Sequence, residues 1–418
     1  MREMKDSGIA WVGEIPKEWA VNRAKYCFIN TKEIAGCRAD DYERLALTMN
    51  GVVKRSKDDS NGLQPEKFET YQILRPDELV FKLIDLQNVS TSRVGLSPYL
   101  GLVSPAYIIL KSNKKKILPS FAEKYFLVLW KNQIFNALGD AGVRSNLNSK
   151  DLLELSIPVP SLEEQQIIAE FLDGECEKID GLTRDIQAEI ETLEQYKRSV
   201  ITEAVTHGLD KSAPMKDSGI AWVGFFPSHW TKKKGKYILR YLAKPVRQDD
   251  GVITCFRDGE VTLRSNRRED GFTMADKEIG YQGVDIGDLV VHGMDGFAGA
   301  IGISDSRGKA SPVLNVLDTE QNKKYIMYYL RSMAYGNVFT ALSTGIRVRS
   351  CDLRWNKLAE LLYPLPPIGE QSKIVEYIDR QIARTDEIIA DKKAQIETLE
   401  AYKKSVIYEY VTGKKEVV

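Results

Sequence analysis

The ten residues Met4 to Gly13, MKDSGIAWVG, return unchanged as Met215 to Gly224. A chain that repeats so long a string is built from two copies of one unit, and no local motif can be weighed before that is settled. A second set of matches closes each copy: Ile190 to Glu194, Tyr196, Lys197 and Ser199 to Ile201 recur as Ile396 to Glu400, Tyr402, Lys403 and Ser405 to Ile407. The offset is 211 residues at the front and 206 at the back, so the stretch between has changed in length as well as in sequence. Two similar mounts carry two different inserts.

The closing segments read as long helices. From Ser161, a plausible N-cap after Pro158 and Pro160, there is no proline as far as His207-Gly208, and Glu163 and Glu164 occupy the first turn, where the helix dipole favours acids. Leu172, Ile179, Ile186, Leu193 and Val200 recur every seven residues, with Leu182 and Tyr196 between them, which is the spacing of a coiled-coil seam. At ~1.5 Å per residue such a helix is a rod of roughly 60 Å. The second copy, Gly369 to Thr412, carries Ile378, Ile389, Ile396, Leu399 and Val406 on a less regular stripe. Neither stripe is stable exposed, and each finds a partner in the other; an antiparallel pair follows if a pseudo-twofold axis relates the copies. Packing of each rod on its own half is the alternative.

Between the mounts the pattern changes to short β-branched and aromatic runs broken by Gly, Pro and Asn-Gly. Leu45 to Met49, Glu78 to Phe81, Ala106 to Leu110, Val252 to Phe256 and Asp288 to Val291 read as strands, and Phe121 to Leu138 and Lys324 to Thr340 as helices. The fold class is therefore α/β: two tandem mixed domains, each followed by a long helix. The expected boundaries are 1–155 and 213–363 for the variable domains and 156–212 and 364–418 for the helices. Side chains able to read bases or hold phosphates gather in the loops of both domains. In the first they are Lys54, Arg55, Lys57, Asn88, Arg93, Arg144 and Asn146; in the second Arg257, Arg264, Arg267, Arg268, His292, Asp295, Arg347 and Arg349.

Charge is segregated although the formal net charge is zero. Residues 14–155 hold 21 Lys or Arg against 17 acids and residues 227–363 hold 21 against 16, whereas residues 161–206 hold 4 against 12. Mildly basic inserts suit a polyanion. An acidic rod suits solvent or a protein partner better than phosphates. Five cysteines without CxxC spacing and three scattered histidines point to neither a disulfide framework nor a metal site. No apolar run of the ~18 residues needed to cross a bilayer is present, so a cytoplasmic protein without membrane contact is expected. The segment Gly302 to Ala310 imitates a phosphate loop but has an extra residue before Gly308-Lys309 and no following Ser or Thr, so it reads as a turn between strands. Gly296, Gly299 and Gly302 miss the dinucleotide-binding spacing and read as sites of close backbone packing. No catalytic set of a nuclease, methyltransferase or ATPase is found.

The repeated GIAWVGxxPxxW opening (Gly8 to Trp19, Gly219 to Trp230), the prolines followed by Glu-Gln (Pro158 to Gln165, Pro364 to Gln371) and the Tyr-Lys-x-Ser-Val-Ile ending resemble the specificity subunits of type I restriction-modification systems. Phe256 to Ser265, FRDGEVTLRS, is also similar to that family. The resemblance implies two target recognition domains, each reading half of a split, asymmetric duplex DNA target, with the helices setting the distance between halves. It further implies two methyltransferase (modification) subunits and restriction/translocase subunits as partners in a prokaryotic cell. S-adenosylmethionine, ATP and Mg would belong to those partners, with no cofactor in this chain. A non-catalytic scaffold that binds proteins with its two arms is the competing expectation.

Overall fold

The apolar runs between the repeated ends form short strands stacked into two layers. In the computed structural model, which describes residues 2–59, 67–84, 86, 92–139, 146–267, 278–342 and 353–417, the chain divides into two units. One comprises Met1–Ile186 with Ala394–Val418, the other Gln187–Lys393. Each holds one variable segment and stretches of both rods.

In the first unit an antiparallel sheet runs in the order Phe28–Thr31, Ile108–Ser112, Glu78–Phe81, Val94–Leu96. Alternate residues leave opposite faces of a strand. Leu79, Phe81 and Leu110 accordingly enter a large core with Phe121, Tyr125, Phe126 and Leu129 of the helix Pro119–Lys131, while Val80 and Ile109 enter a smaller core with Leu45, Leu47, Leu74 and Val103. Burial on both faces explains why these runs are continuously apolar rather than alternating. The smaller core is closed by a second sheet, Gly51–Arg55, Arg44–Thr48, Gly101–Val103, Gln72–Leu74, whose central pair is parallel.

The second unit repeats this plan. Leu239–Tyr241, Leu314–Thr319, Leu289–His292 and Ile301–Ile303 form the antiparallel sheet. Leu289 and Val291 pack with Tyr325 and Tyr329, and Val290 and Val316 pack with Ile253, Val261 and Val284 on the other face. The outer layer is two hairpin-like pairs, Ile253–Cys255 with Val261–Leu263 and Gln282–Val284 with Gly308–Ala310, joined by a parallel bridge from Val252 to Lys309. The parallel contact in the middle of the layer is thus common to both units.

Each long helix expected in a variable domain is two helices. Pro119–Lys131 stops before Ile134–Leu138, and Lys323–Tyr335 before Val338–Ala341. The breaks fall at Gln133 (φ 57°) and Asn337 (φ 55°), left-handed residues that no helix can continue through. Composition alone hid them, because no proline marks either site and Gly336 is weak punctuation.

The rods span Leu162–His207 and Ile368–Val411. Ser161 Oγ accepts from the Glu164 amide at 3.2 Å, capping the first rod. In the unit Gln187–Lys393, Lys197 pairs with Asp386 at 2.5 Å and Glu189 with Lys392, so one rod ascends in number as the other descends. In the other unit Asp180 pairs with Lys403 at 2.7 Å, and the Phe171 and Tyr410 rings lie 4.5 Å apart, again antiparallel. Leu172, Ile179, Val200, Ile378, Ile389 and Val406 are buried; Ile186, Leu193, Ile396 and Leu399 are half-buried.

The intervening positions differ from expectation. Leu182 and Tyr196 are 52% and 47% exposed, whereas Ile190 is buried and Thr183 and Lys197 are half-buried. The second stripe of the seam therefore lies four residues after the first, not three. Lys197 tolerates this place because Asp386 meets it across the pair. The rods also join the variable domains at both ends. Ile168, Ala169 and Leu172 share the first domain's core with Val406, Ile407 and Val411, and Ile374, Val375 and Ile378 share the second domain's core with Ile201, Ala204 and Val205. Pairing with the other rod and packing on its own half are both realised.

Candidate nucleic-acid interface

The repeated motifs build the mount. Trp19 Nε1 donates to Glu164 Oε2 at 3.0 Å, and Trp230 Nε1 donates to Glu370 Oε1 at 3.0 Å. The second repeated tryptophan does the same work nearby: Trp11 Nε1 donates to the Tyr125 hydroxyl at 3.3 Å and Trp222 Nε1 to that of Tyr329 at 3.0 Å. Next to each glutamate sits a fully buried glutamine. Gln165 accepts from the Leu118 amide at 2.7 Å and donates to the carbonyls of Pro160 and Lys116 at 2.9 and 3.0 Å. Gln371 accepts from the Asn322 amide at 3.0 Å and donates to Pro366 O at 2.9 Å and Gln321 Oε1 at 2.8 Å. Each rod start is thereby locked to the entry of its domain's long helix, and the variable connections are held on a fixed base.

In the first domain the described cations lie along the outer sheet. Lys54, on Gly51–Arg55, meets Glu43 at 2.6 Å and lies 5.4 Å from the Tyr99 ring centroid; the hydrogen bond to Glu43 raises its pKa. Arg55 Nε donates to Asp59 at 2.7 Å, and Lys57 donates to Ala39 O at 2.8 Å with Asp40 at 3.7 Å. Asn146 is exposed. Arg93 is a correction. It is 1% exposed and its Nη1 donates to Ile84 O at 3.2 Å, so it ties a connection to the core rather than facing a ligand. An arginine in a Ser-rich loop gives no sequence sign of such burial.

The second domain draws its residues into one cluster. The turn 256–260, between Ile253–Cys255 and Val261–Leu263, sits beside the connection that follows Leu289–His292. Arg257 Nη2 donates to Asp295 Oδ1 at 2.9 Å, Arg267 donates to Asp258 at 2.6 Å and Glu260 at 3.0 Å, and Arg264 Nε donates to Thr254 Oγ1 at 3.4 Å. Burial raises the Asp258 pKa, but the Arg267 hydrogen bond and charge together with the backbone amides of the turn outweigh it, and the carboxyl stays below its ordinary value. His292 Nδ1 accepts from the Met294 and Asp295 amides at 3.2 and 2.9 Å, which puts the ring proton on Nε2. Burial lowers its pKa against the opposing pull of Asp295, favouring that neutral form. The carboxylates Asp258 and Glu260 were not among the residues the sequence singled out; their partners are set by a fold of the chain no local pattern reveals.

Asn88, Arg144, Arg268, Arg347 and Arg349 lie outside the described residues. The phosphate-loop imitation is a strand, a turn and a strand, Ile301–Ile303 and Gly308–Ala310. Among the described residues no group of three or more His, Cys, Asp or Glu is placed to hold a metal, and no helix is long and apolar enough to cross a membrane.

Two related mixed α/β domains with different polar edges among the described residues, each on a matching mount, define a class, that of an internally duplicated α/β protein with two long helices. Comparison with known proteins gives that class a family resemblance. Residues 47–192 match the family described as type I restriction modification DNA specificity domain. The chain is 22% identical to a putative type I restriction enzyme MjaX specificity subunit of Methanocaldococcus jannaschii, over 97% of this chain and 96% of that one. It is 22% identical to the type I restriction enzyme StySPI specificity subunit of Salmonella potsdam, over 79% of this chain and 75% of the relative. A solved chain from work on complex assembly and conformational transition of the type I R-M system shares the fold, with a TM-score of 0.65, 13% identity, and coverage of 96% of this chain and 99% of its own. The chain resembles type I specificity subunits along nearly its whole length.

Proposed function

We propose that this chain is the DNA sequence-specificity subunit of a type I restriction-modification complex, reading an asymmetric bipartite target and directing adenine methylation or cleavage by partner subunits. The observation that carries this reading is the pairing of sameness and difference. The mounts repeat to the level of single hydrogen bonds, while among the described residues the polar edges they carry are arranged differently. Identical readers related by a twofold would select a palindrome; divergent readers on equal mounts select two unlike half-sites. Residues 1–155 and 213–363 are the two recognition domains and the segments 156–212 and 364–418 the spacer helices. Lys54, Arg55, Lys57, Asn146, Arg257, Arg264, Arg267, His292 and Asp295 are the proposed DNA contacts among the described residues. Because Lys54, Arg55, Arg257 and Arg267 already hold carboxylates, their gain from a phosphate is the difference between two ion pairs, and partners supply much of the phosphate contact.

The outward stripes of the rods are the proposed docking sites of the modification subunits. Leu182, Asp185, Thr192, Tyr196 and Ser199 match Ile388, Asp391, Thr398, Tyr402 and Ser405 in the second copy, and all ten are exposed. A seam between rods does not require likeness on the outer face. Two equivalent faces suit two copies of one partner, whose surface carries an apolar ridge to meet the exposed leucine, isoleucine and tyrosines. Chemistry and its cofactors, S-adenosylmethionine, ATP and Mg, belong to those partners. In cells that express the chain with its modification subunit, a split asymmetric N6-methyladenine motif is expected genome-wide and is absent when the chain is deleted. Active methylation with a motif independent of this chain would favour the protein-binding scaffold instead.

A further inference from the structure

The polar edge of the second recognition domain does not treat its arginines alike. Arg267 is spent on the protein: its two terminal nitrogens hold Asp258 and Glu260, and its guanidinium lies 4.2 Å from the Phe256 ring centroid. Arg264 is half-buried and reaches back to Thr254. Arg257 differs from both. Its side chain is 58% exposed, and among the described residues its side chain has one hydrogen-bond partner, Asp295 on the adjoining connection.

The base on which Arg257 stands is rigid. A side chain at Gly299 would bring its Cβ within 2.6 Å of the Arg257 carbonyl oxygen, and one at Gly302 would fall on the Gly259 carbonyl, so the two connections touch backbone to backbone. From the helix Lys323–Tyr335, Arg331 Nη2 donates to Asp258 O at 2.6 Å and anchors the turn from beneath. Asp295 is fixed in turn, because its amide donates to His292 Nδ1 at 2.9 Å. A guanidinium held at one end by a fixed carboxylate has lost rotamer freedom before any ligand arrives. The planar fork then offers its remaining N–H groups in a set direction.

In the major groove only guanine presents two acceptors side by side, O6 and N7, at the spacing of that fork. We propose that Arg257, steered by Asp295, reads a guanine in the half-site contacted by the second recognition domain. The inference rests on the specificity-subunit reading and adds a base and a residue to it. Lysine keeps the charge without the planar fork and so weakens base reading while sparing phosphate binding, whereas alanine removes both.

The test is the methylation motif of the complete complex carrying Arg257→Lys or Arg257→Ala, mapped genome-wide beside the wild type. Relaxation at one G·C pair of one half-site is expected, with discrimination against other bases at that position falling roughly 10- to 100-fold and the other half-site unchanged. Asp295→Ala relaxes the same position to a smaller degree. An unchanged motif in the folded Arg257→Ala protein overturns the proposal, as does uniform weakening at all sequences, which marks a phosphate contact. A wild-type chain that directs no motif at all refutes the underlying reading, and is seen before any substitution is made.

Discussion

Replacing Gln371 by Leu lowers the stability of the unit that holds the second variable domain by about 2–4 kcal/mol. The glutamine is fully buried, and its amide serves the Asn322 N–H, the Pro366 carbonyl and the Gln321 side chain at once. Leucine fills similar volume but strands the buried Pro366 carbonyl and removes the partner of the part-buried Asn322 amide and Gln321 side chain, at ~1–3 kcal/mol for each group stranded. Domain stability is itself only ~5–15 kcal/mol, so the loss is a large share of it. Gln165→Leu has the same effect on the unit that holds the first domain, where Leu118, Pro160 and Lys116 lose their partner. Denaturant unfolding followed by tryptophan fluorescence is a direct readout, since Trp19 and Trp230 are buried beside the two rod starts. A midpoint that does not move in either variant shows that the glutamines are not the lock.

The second large effect is on assembly. Tyr196→Glu and Tyr402→Glu each remove one modification subunit from the complex, and the double variant removes both. The tyrosines are 47% and 52% exposed in the chain alone, so the change does not disturb the core. At a docking surface a buried aromatic anchor contributes about 2–4 kcal/mol, and a charge there weakens binding by roughly 30- to 1000-fold. Native mass spectrometry of co-expressed proteins counts the subunits: two on the wild type, one on either single variant, none on the double. Circular dichroism checks that the rods are intact. Single variants that still carry two subunits contradict the assignment of this face.

How much was legible in the chain differs between frame and edge. Repetition exposed the mount, because Trp11, Trp19, Glu164 and Gln165 recur as Trp222, Trp230, Glu370 and Gln371, and each finds an equivalent partner in its own unit. Strand positions were also legible, since stretches buried on both faces, such as 79–81 (LVF) and 289–291 (LVV), are continuously apolar. The seam's second stripe was misplaced by one residue. Leu182 and Tyr196 are apolar and sit three residues after a seam position, yet the partner rod passes on the side of Thr183 and Lys197. Hydrophobicity could not see this, because apolar residues stand on the exposed side of the rod as well as in the seam. The helix breaks at Gln133 and Asn337 escaped notice because left-handed geometry at a polar residue leaves no compositional mark.

The polar edges were legible in kind and not in arrangement. Loops rich in Arg, Lys and Asn were apparent from the sequence, but not that Asp258 and Glu260 would hold Arg267, or Asp295 hold Arg257. Those pairs join residues from separate connections, and their meeting depends on strand register. Arg93 shows the same limit from the other side. It has the chemistry of a contact residue and the burial of a core one.

The central claim is that each variable segment reads one half of the target independently of the other. Its most direct test exchanges residues 14–155 for the corresponding segment of another specificity subunit and maps the N6-methyladenine motif the hybrid directs. The account predicts that one half-site changes to that of the donor, while the other half-site and the spacer between them stay as they were. A hybrid in which both halves change together, in a protein shown to be folded and assembled, would contradict it.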